Sequence, residues 1–353
     1  MAPTTTKQWK LRQKPHGMPV LEGSEQTFEL TTTTLNEPQD GEVLVQTVYL
    51  SNDPAQRSWI SPSVDPDRAY LPPLQPGDTM RALGIGSVIE SRDDKLEVGS
   101  LVVGRMGWSE YSVHPAQNLV MLDPPEGLRE THFLGGLGLP GLTAYYALKE
   151  IVELKKTDTI VVSAAAGAVG SMVVQIAKKV LGCGRVSSIS YSHAPDAHDS
   201  DADFLQLIGI AGTEEKCRWV ESLGADKCLN YKDSHFAENL AAETEDFADV
   251  YFACGMTSTY NDVVNQTGIK NLFEVVTMRL KMLGFINIDY LDHQKEVTDL
   301  LVREWSAGNL VLRDDNETIV DTVFEDIPKT WALLFTGGNT GKLLTRLVEA
   351  NNT

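Results

Sequence analysis

The sequence predicts an α/β protein in two parts, a β-rich N-terminal region followed by a doubly wound parallel sheet. Three observations carry this. Up to about Pro125, apolar residues fall in short β-branched runs punctuated by Pro62, Pro66, Pro72, Pro73, Pro76 and Gly77. From about Leu137 the period changes, and short apolar runs alternate with stretches apolar at helical spacing, the pattern of βαβ units. Between one such run and one such stretch lies the small-residue turn Ser163-Ala164-Ala165-Ala166-Gly167-Ala168-Val169-Gly170-Ser171.

The elements follow in order. Gly41 to Tyr49 alternates and is β-branched, Ala82 to Glu90 carries the interior glycines of a bent strand, and Leu101-Val102-Val103 is a third strand; together they predict a small barrel or sandwich. Leu142 to Leu154 reads as a helix, Thr159 to Ser163 as a strand and Ser171 to Leu181 as a helix. Gln206 to Ala211 is a strand, Glu214 to Leu223 a helix and Cys228 to Tyr231 a strand. Asp249 to Cys254 and Met282 to Ile288 are further strands, and Phe324 to Val348 holds a helix, a Gly-Gly-Asn turn and a closing strand.

The turn carries the chemistry. A small-residue link from strand to helix lets the backbone approach a pyrophosphate, and the helix start offers unpaired N–H groups and a positive dipole end. Ala166, Gly167, Ala168 and Val169 stand where that contact is made. The pattern is AxxGxxG rather than GxGxxG, and a turn of this kind also serves plain close packing. Choice between NAD and NADP rests on the end of the next strand, where a carboxylate binds the ribose 2′-OH and a basic group accepts a 2′-phosphate. Here the strand ends in Ala211-Gly212-Thr213 with no carboxylate at its tip; Lys216 follows, flanked by Glu214 and Glu215, and Tyr231 closes the strand after. By charge alone, Lys216 reads equally as a phosphate ligand or as a solvated helix residue.

Composition limits the classes. The 353 residues suit two domains, and 42% hydrophobic with 22% charged content is that of a soluble globular chain. A formal net charge of -19 argues against nucleic acid and anionic membranes as partners. No apolar run is long enough to span a bilayer, and Met1 to Leu11 lacks the apolar core of a secretory signal. Cys183, Cys217, Cys228 and Cys254 stand apart, which reads as a reduced, cytoplasmic chain. Residues 1–125 contain no cysteine and only the isolated His16 and His114, so no catalytic zinc is expected and metal ligands are assigned to none.

Taken in order, Leu50-Ser51-Asn52-Asp53-Pro54-Ala55-Gln56-Arg57, Leu139-Pro140-Gly141-Leu142-Thr143-Ala144-Tyr145, Ser163 to Ser171, Ala211 to Cys217, Asn230-Tyr231-Lys232 and Gly338-Asn339-Thr340-Gly341-Lys342 resemble the medium-chain dehydrogenase/reductase superfamily. The resemblance is to its zinc-free branch of leukotriene hydroxydehydrogenases, prostaglandin reductases and alkenal double-bond reductases. It implies a GroES-like β-barrel catalytic domain over 1–125, completed by 315–353, and a Rossmann NADP-binding domain over 126–314. It implies a homodimer that uses NADPH to reduce the C=C bond of α,β-unsaturated aldehydes and ketones, with a small enal or enone as substrate. It places the 2′-phosphate on Lys216 beside Tyr231, the nicotinamide along Cys254, Gly255, Thr257 and Tyr260, and the cofactor also on Asn339. Phe285 and Asn287 stand at a predicted strand's C-terminal end, where ligands of open sheets gather. Without zinc, an O–H donor must stabilise the enolate oxygen, and Tyr260 is the candidate catalytic residue, its alternative being a loop tyrosine packed by its ring. Asn339 reads alternatively as a turn former.

The sequence departs from that pattern twice. Residues 187–207 intervene where the second strand should run on from Arg185-Val186, and they carry His193, His198 and several aspartates, as a solvated acidic loop or a metal site would. Family members pass from the fourth strand into an Asp-Asn-Val-Gly-Gly turn, a helix and a fifth strand, whereas here Asp249-Val250-Tyr251-Phe252 runs straight into Ala253-Cys254-Gly255. A parallel strand needs a crossover, so two strands read as fused. Two rival readings follow: an NADPH quinone reductase, and a catalytically impaired relative produced by altered splicing.

Overall fold

The computed structural model describes residues 3–181, 205–245, 247–253, 279 and 281–349. They fall in two compact units, one drawn from 3–134 and 317–349, the other from 135–253 and 281–316. Cys254, Gly255, Thr257 and Tyr260 lie outside the described residues, as does most of the 187–207 stretch.

The first unit contains β1 (Thr5–Leu11), β2 (Phe28–Thr34), β3 (Glu42–Ser51), β4 (Gly84–Ser91), β5 (Leu101–Gly104), β6 (Tyr111–Pro115) and β7 (Val120–Met121). From the C-terminal segment it adds β12 (Glu317–Thr322) and β13 (Lys342–Leu347). β1 and β2 form a two-stranded antiparallel sheet. The others form one sheet in the order β12-β13-β3-β4-β5-β7, with β6 also paired to β3. The bend expected from the glycines of β4 appears as two register shifts against β3, at Leu44/Val45 and Thr47/Tyr49.

The C-terminal segment is built into this unit. β13 pairs antiparallel with the end of β3, Leu344 opposite Ser51. The short helix Ile327–Ala332 brings Trp331 against Phe28 and Trp108, with ring centroids 5.0–5.8 Å apart in tilted and edge-on contacts. All three rings are at most 2% exposed. Two motifs that lie far apart in the sequence also meet. The Lys342 ammonium, 3% exposed, donates to Asp53 Oδ1 at 2.5 Å and to the Asn52 carbonyl at 3.0 Å. Ser51 Oγ donates to the other Asp53 oxygen at 2.6 Å. A buried charge needs such partners, so these residues of the resemblance motifs lock β13 to the end of β3.

The second unit holds β8 (Thr159–Val162), β9 (Gln206–Ala211), β10 (Lys227–Asn230) and β11 (Val250–Phe252), all parallel, in the order β10-β9-β8-β11. This is the order in which the first four strands of a doubly wound dinucleotide fold are laid down. Side chains of β9 alternate between two covered faces. Ile208 and Ile210 lie with Val161 and Leu229 under Phe236 and Leu240 of the helix Phe236–Glu243. On the other face, a Cβ at Gly209 would stand 2.8 Å from Val220 of the helix Glu214–Leu223. Burial on both faces explains why β8 and β9 read as unbroken apolar runs. In this unit Leu139–Tyr146 and Ala168–Gln175 are helices, each extended by one wider turn closed by Val152 N–H to Ala147 O and Leu181 N–H to Ile176 O. Among the described residues no helix is long and apolar enough to cross a membrane.

Two expectations need correction. Met282 to Ile288 is not a strand: residues 281–286 run without a ladder partner among the described residues, and Asn287–His293 forms a 3₁₀ helix. Met282 and Leu283 are 68% and 60% exposed. A short apolar run shows a preference for burial but not what buries it. The second correction concerns 187–207. Its last residues belong to the fold, since Leu205 is buried and Gln206 and Leu207 open β9 opposite Thr159 and Ile160. Gln206 and Leu207 are therefore strand residues and not part of an intervening loop.

Candidate cofactor site

The candidate site sits at the C-terminal ends of β8, β9 and β10. Beyond Val162 the chain is tied to both neighbouring strands: Ser163 N–H donates to Phe252 O at 3.0 Å and Ala165 N–H to Ile210 O at 2.9 Å. Ala164 takes a left-handed backbone with φ 47°, and its carbonyl accepts from Gly167 N–H at 2.9 Å. Gly167 is the N-cap of the helix Ala168–Gln175, and no side chain caps that helix start. Its first-turn N–H groups are those that a helix cannot pair internally. At Gly170 a Cβ would meet Ala164 O at 2.4 Å and Ala165 Cα at 2.7 Å, so the helix packs onto the turn as only glycine allows. The result is an uncapped helix start held against the end of β8, a geometry that binds phosphate oxygens through backbone N–H groups.

The next turn sets the charge. Beyond Ala211 the chain passes through Gly212 to Thr213, whose Oγ1 accepts from Lys216 N–H at 3.2 Å and caps the helix Glu214–Leu223. Lys216 lies half-buried in the first turn. Burial, the largest effect, and the nearby Lys232 charge hold its ammonium below the ordinary lysine range; Glu215 acts in the opposite sense. Tyr231 follows β10, its N–H bonded to Ala211 O at 3.0 Å. Its ring covers Gly212, where an added Cβ would lie 3.1 Å from Cε1. Glu214, which made the sequence ambiguous, accepts a hydrogen bond from Asn230 Nδ2 at 3.1 Å.

The structure thus brings Ala166, Gly167, Ala168, Val169, Lys216 and Tyr231 to one edge of one sheet. Phe285 and Asn287 belong to the same unit but to another segment, and Asn287 Nδ2 donates to Thr143 Oγ1 at 3.2 Å. Asn339 belongs to the first unit, where its Nδ2 donates to Gly341 O at 2.9 Å within its own turn. Sequence reasoning missed Asn230 and Lys232. Both were in view in the Asn-Tyr-Lys motif, but nothing in a linear pattern says that an asparagine will engage a glutamate sixteen residues earlier.

The residues present fit a dinucleotide carrying a 2′-phosphate: the cradle at Gly170 and Gly167, the uncapped helix start, a cation at the second strand and no carboxylate at that strand's tip. Comparison with known proteins agrees. Residues 7–122 match the N-terminal domain of oxidoreductase family. The chain is 31% identical to the NADPH-dependent curcumin reductase of Escherichia coli, over 97% of this chain and 96% of that protein. It is 32% identical to the 2-alkenal reductase (NADP(+)-dependent) of Nicotiana tabacum, over 90% and 91% of the two chains. The crystal structure of CurA in complex with NADPH from Vibrio vulnificus superposes with a TM-score of 0.78 at 28% identity, covering 98% of this chain and all of that one. Fold and site define a two-unit dinucleotide-dependent oxidoreductase. The chain belongs to the zinc-free branch of the medium-chain dehydrogenase/reductase superfamily, with its GroES-like and Rossmann domains.

Proposed function

We propose that this chain is an NADPH-dependent reductase of the C=C bond of α,β-unsaturated aldehydes and ketones, working as a cytoplasmic homodimer. The observation that supports it most is the Ser163–Ser171 turn, an uncapped helix start closed onto β8 beside Lys216, with no carboxylate at the tip of β9. When bound, NADPH would supply the hydride taken up at the substrate's β-carbon, and a proton from solvent taken up at the α-carbon would complete the saturated product. The N–H groups around Ala166, Gly167, Ala168 and Val169 hold the pyrophosphate, and Lys216 and Tyr231 take the 2′-phosphate. Cys254, Gly255, Thr257, Phe285, Asn287 and Asn339 complete the cofactor contacts, on the family resemblance. Tyr260 donates its O–H to the substrate's carbonyl oxygen and stabilises the negative charge that builds there as the β-carbon is reduced. The names of the E. coli and Nicotiana relatives carry the same cofactor and, for the latter, the alkenal substrate class.

The test is NADPH consumption by the purified full chain over a panel of enals, enones and quinones, with products identified by mass and NMR. Enal or enone turnover giving the saturated carbonyl is expected. Turnover of quinones alone, or reduction of the carbonyl in place of the C=C bond, would overturn the reading.

A further inference from the structure

Around the Lys216 turn, Asn230 makes two contacts that the family reading does not use. Its Nδ2 donates to Glu214 Oε1 at 3.1 Å, and its Oδ1 accepts from the backbone N–H of Lys232 at 3.1 Å. The first contact engages the carboxylate that stands closest in sequence to the tip of β9. The second shapes the turn on which Tyr231 and Lys232 are displayed. Lys232 Nζ lies 5.8 Å from the centroid of the Tyr231 ring, and that ring in turn lies over the Gly212 backbone. Gly212, Tyr231 and Lys232 therefore form a stack beside the first turn of the helix that carries Lys216.

We propose that Lys232 is a second cation for the 2′-phosphate of NADP and that Asn230 is a positioning residue for cofactor choice, fixing Lys232 on its turn and Glu214 in its hydrogen bond. The inference rests on the NADPH reading above and deepens it. The physical case is one of like charges. Bringing two ammonium groups near one half-buried site costs energy, and the Lys232 charge does bear on Lys216. A dianionic phosphate beside this turn would attract both ammonium groups, whereas a ribose 2′-OH carries no charge to do so. Glu214 would cancel much of the attraction if its carboxylate were turned toward the phosphate, and Asn230 supplies the donor that holds it elsewhere. The same glutamate in the first turn is favourable to the helix dipole, so it can be kept without spoiling the site.

The experiment measures binding of 2′,5′-ADP and of ADP to the full chain by calorimetry at two salt concentrations, for wild type, Lys232→Gln, Asn230→Asp and Asn230→Asp with Glu214→Gln. Wild type should favour 2′,5′-ADP. Lys232→Gln should weaken 2′,5′-ADP about tenfold and flatten its salt dependence, while ADP binding is retained, as loss of one charge-assisted contact requires. Asn230→Asp should weaken 2′,5′-ADP by a similar factor, and adding Glu214→Gln should recover part of the loss. Retained ADP affinity shows that each variant is folded. An unchanged ratio of 2′,5′-ADP to ADP affinity in both single variants would overturn this inference and leave the NADPH reading standing. Binding of neither nucleotide by wild type would overturn both.

Discussion

Gly170→Ala gives the sharpest test of the turn, because two effects act with opposite sign. In an ordinary helix this change stabilises by about 0.5–1 kcal/mol, since alanine loses less backbone freedom than glycine. At Gly170 the new Cβ would stand 2.4 Å from Ala164 O, 2.7 Å from Ala165 Cα and 3.0 Å from Ala164 C. All three are backbone atoms, so no side-chain rotation relieves them. Retreat of the turn is opposed by Ala165 N–H to Ile210 O and Gly167 N–H to Ala164 O, both 2.9 Å. Overpacking of this kind costs roughly 1–3 kcal/mol, and one strained hydrogen bond adds about 0.5–1.5 kcal/mol. The clash outweighs the propensity gain, and a net loss of about 1–3 kcal/mol is expected. For a unit of this size that lowers Tm by several degrees, at roughly 2–4 °C per kcal/mol. Because the displaced atoms belong to the proposed pyrophosphate turn, NADPH affinity should fall about tenfold or more, the equivalent of about 1.4 kcal/mol. Thermal unfolding with and without NADPH, and calorimetric titration, read both quantities. A raised Tm with unchanged NADPH affinity would show that this helix start is not packed as described and would remove the argument for the site.

The other expectations are these. Lys216→Ala should weaken NADPH binding by about 1.5–3 kcal/mol and spare NADH, and equal loss for both would dismiss the 2′-phosphate assignment. Tyr260→Phe should lower kcat on an enal far more than it changes NADPH affinity; wild-type kcat would take Tyr260 out of the mechanism. Burial pushes the His114 imidazole below its ordinary 6.5, and its Nε2 lies 2.7 Å from Ser112 Oγ. With the folded value below the unfolded one, its contribution is full above about pH 6.5 and is lost as pH falls through the folded value. Chemical unfolding from pH 7 to pH 5 should therefore show a slope that His114→Gln reduces, and an identical slope would refute this. Restoring the turn, helix and strand that the family has after its fourth strand should raise stability by at least the roughly 1.5–3 kcal/mol of one large apolar side chain covered, and Tm with it. Expression of both versions checks it, and an unrepaired chain of equal stability and activity would show that the short form is complete in itself.

Much of the second unit was legible in the sequence, for a local reason. Gln206 to Ala211 and Glu214 to Leu223 fall on their predicted residues, because an apolar β-branched run leading to a Thr cap fixes both ends of the link. The AxxGxxG turn was legible because its glycine answers a contact within six residues of itself, Gly170 on Ala164. The first unit was less so. The sequence does not predict β1, β2, β6, β7 or β12, and β12 is held parallel to β13, a pairing between segments with no sequence signal linking them. The Lys342 and Asp53 pair shows the same limit: each lies in a quoted motif, but their meeting across the chain is a property of β13 docking on β3.

The failure at Met282 to Ile288 is instructive beyond its own residues. A strand exists only by its neighbours, and β11 stands at the end of the ladder among the described residues, with Tyr251 63% exposed. Phe247, just before it, is 69% exposed. Interior strands of a parallel sheet are buried on both faces, as β8 and β9 are here. Among the described residues, β11 therefore combines the composition of an interior strand with the exposure of an edge strand. The turns after β9 and β10 lie on the other side of β8 from this edge, and the turn after β8 is bonded to β11 through Ser163 to Phe252. The proposed cofactor contacts therefore lie on β8, β9 and β10, strands that are each paired in the ladder among the described residues.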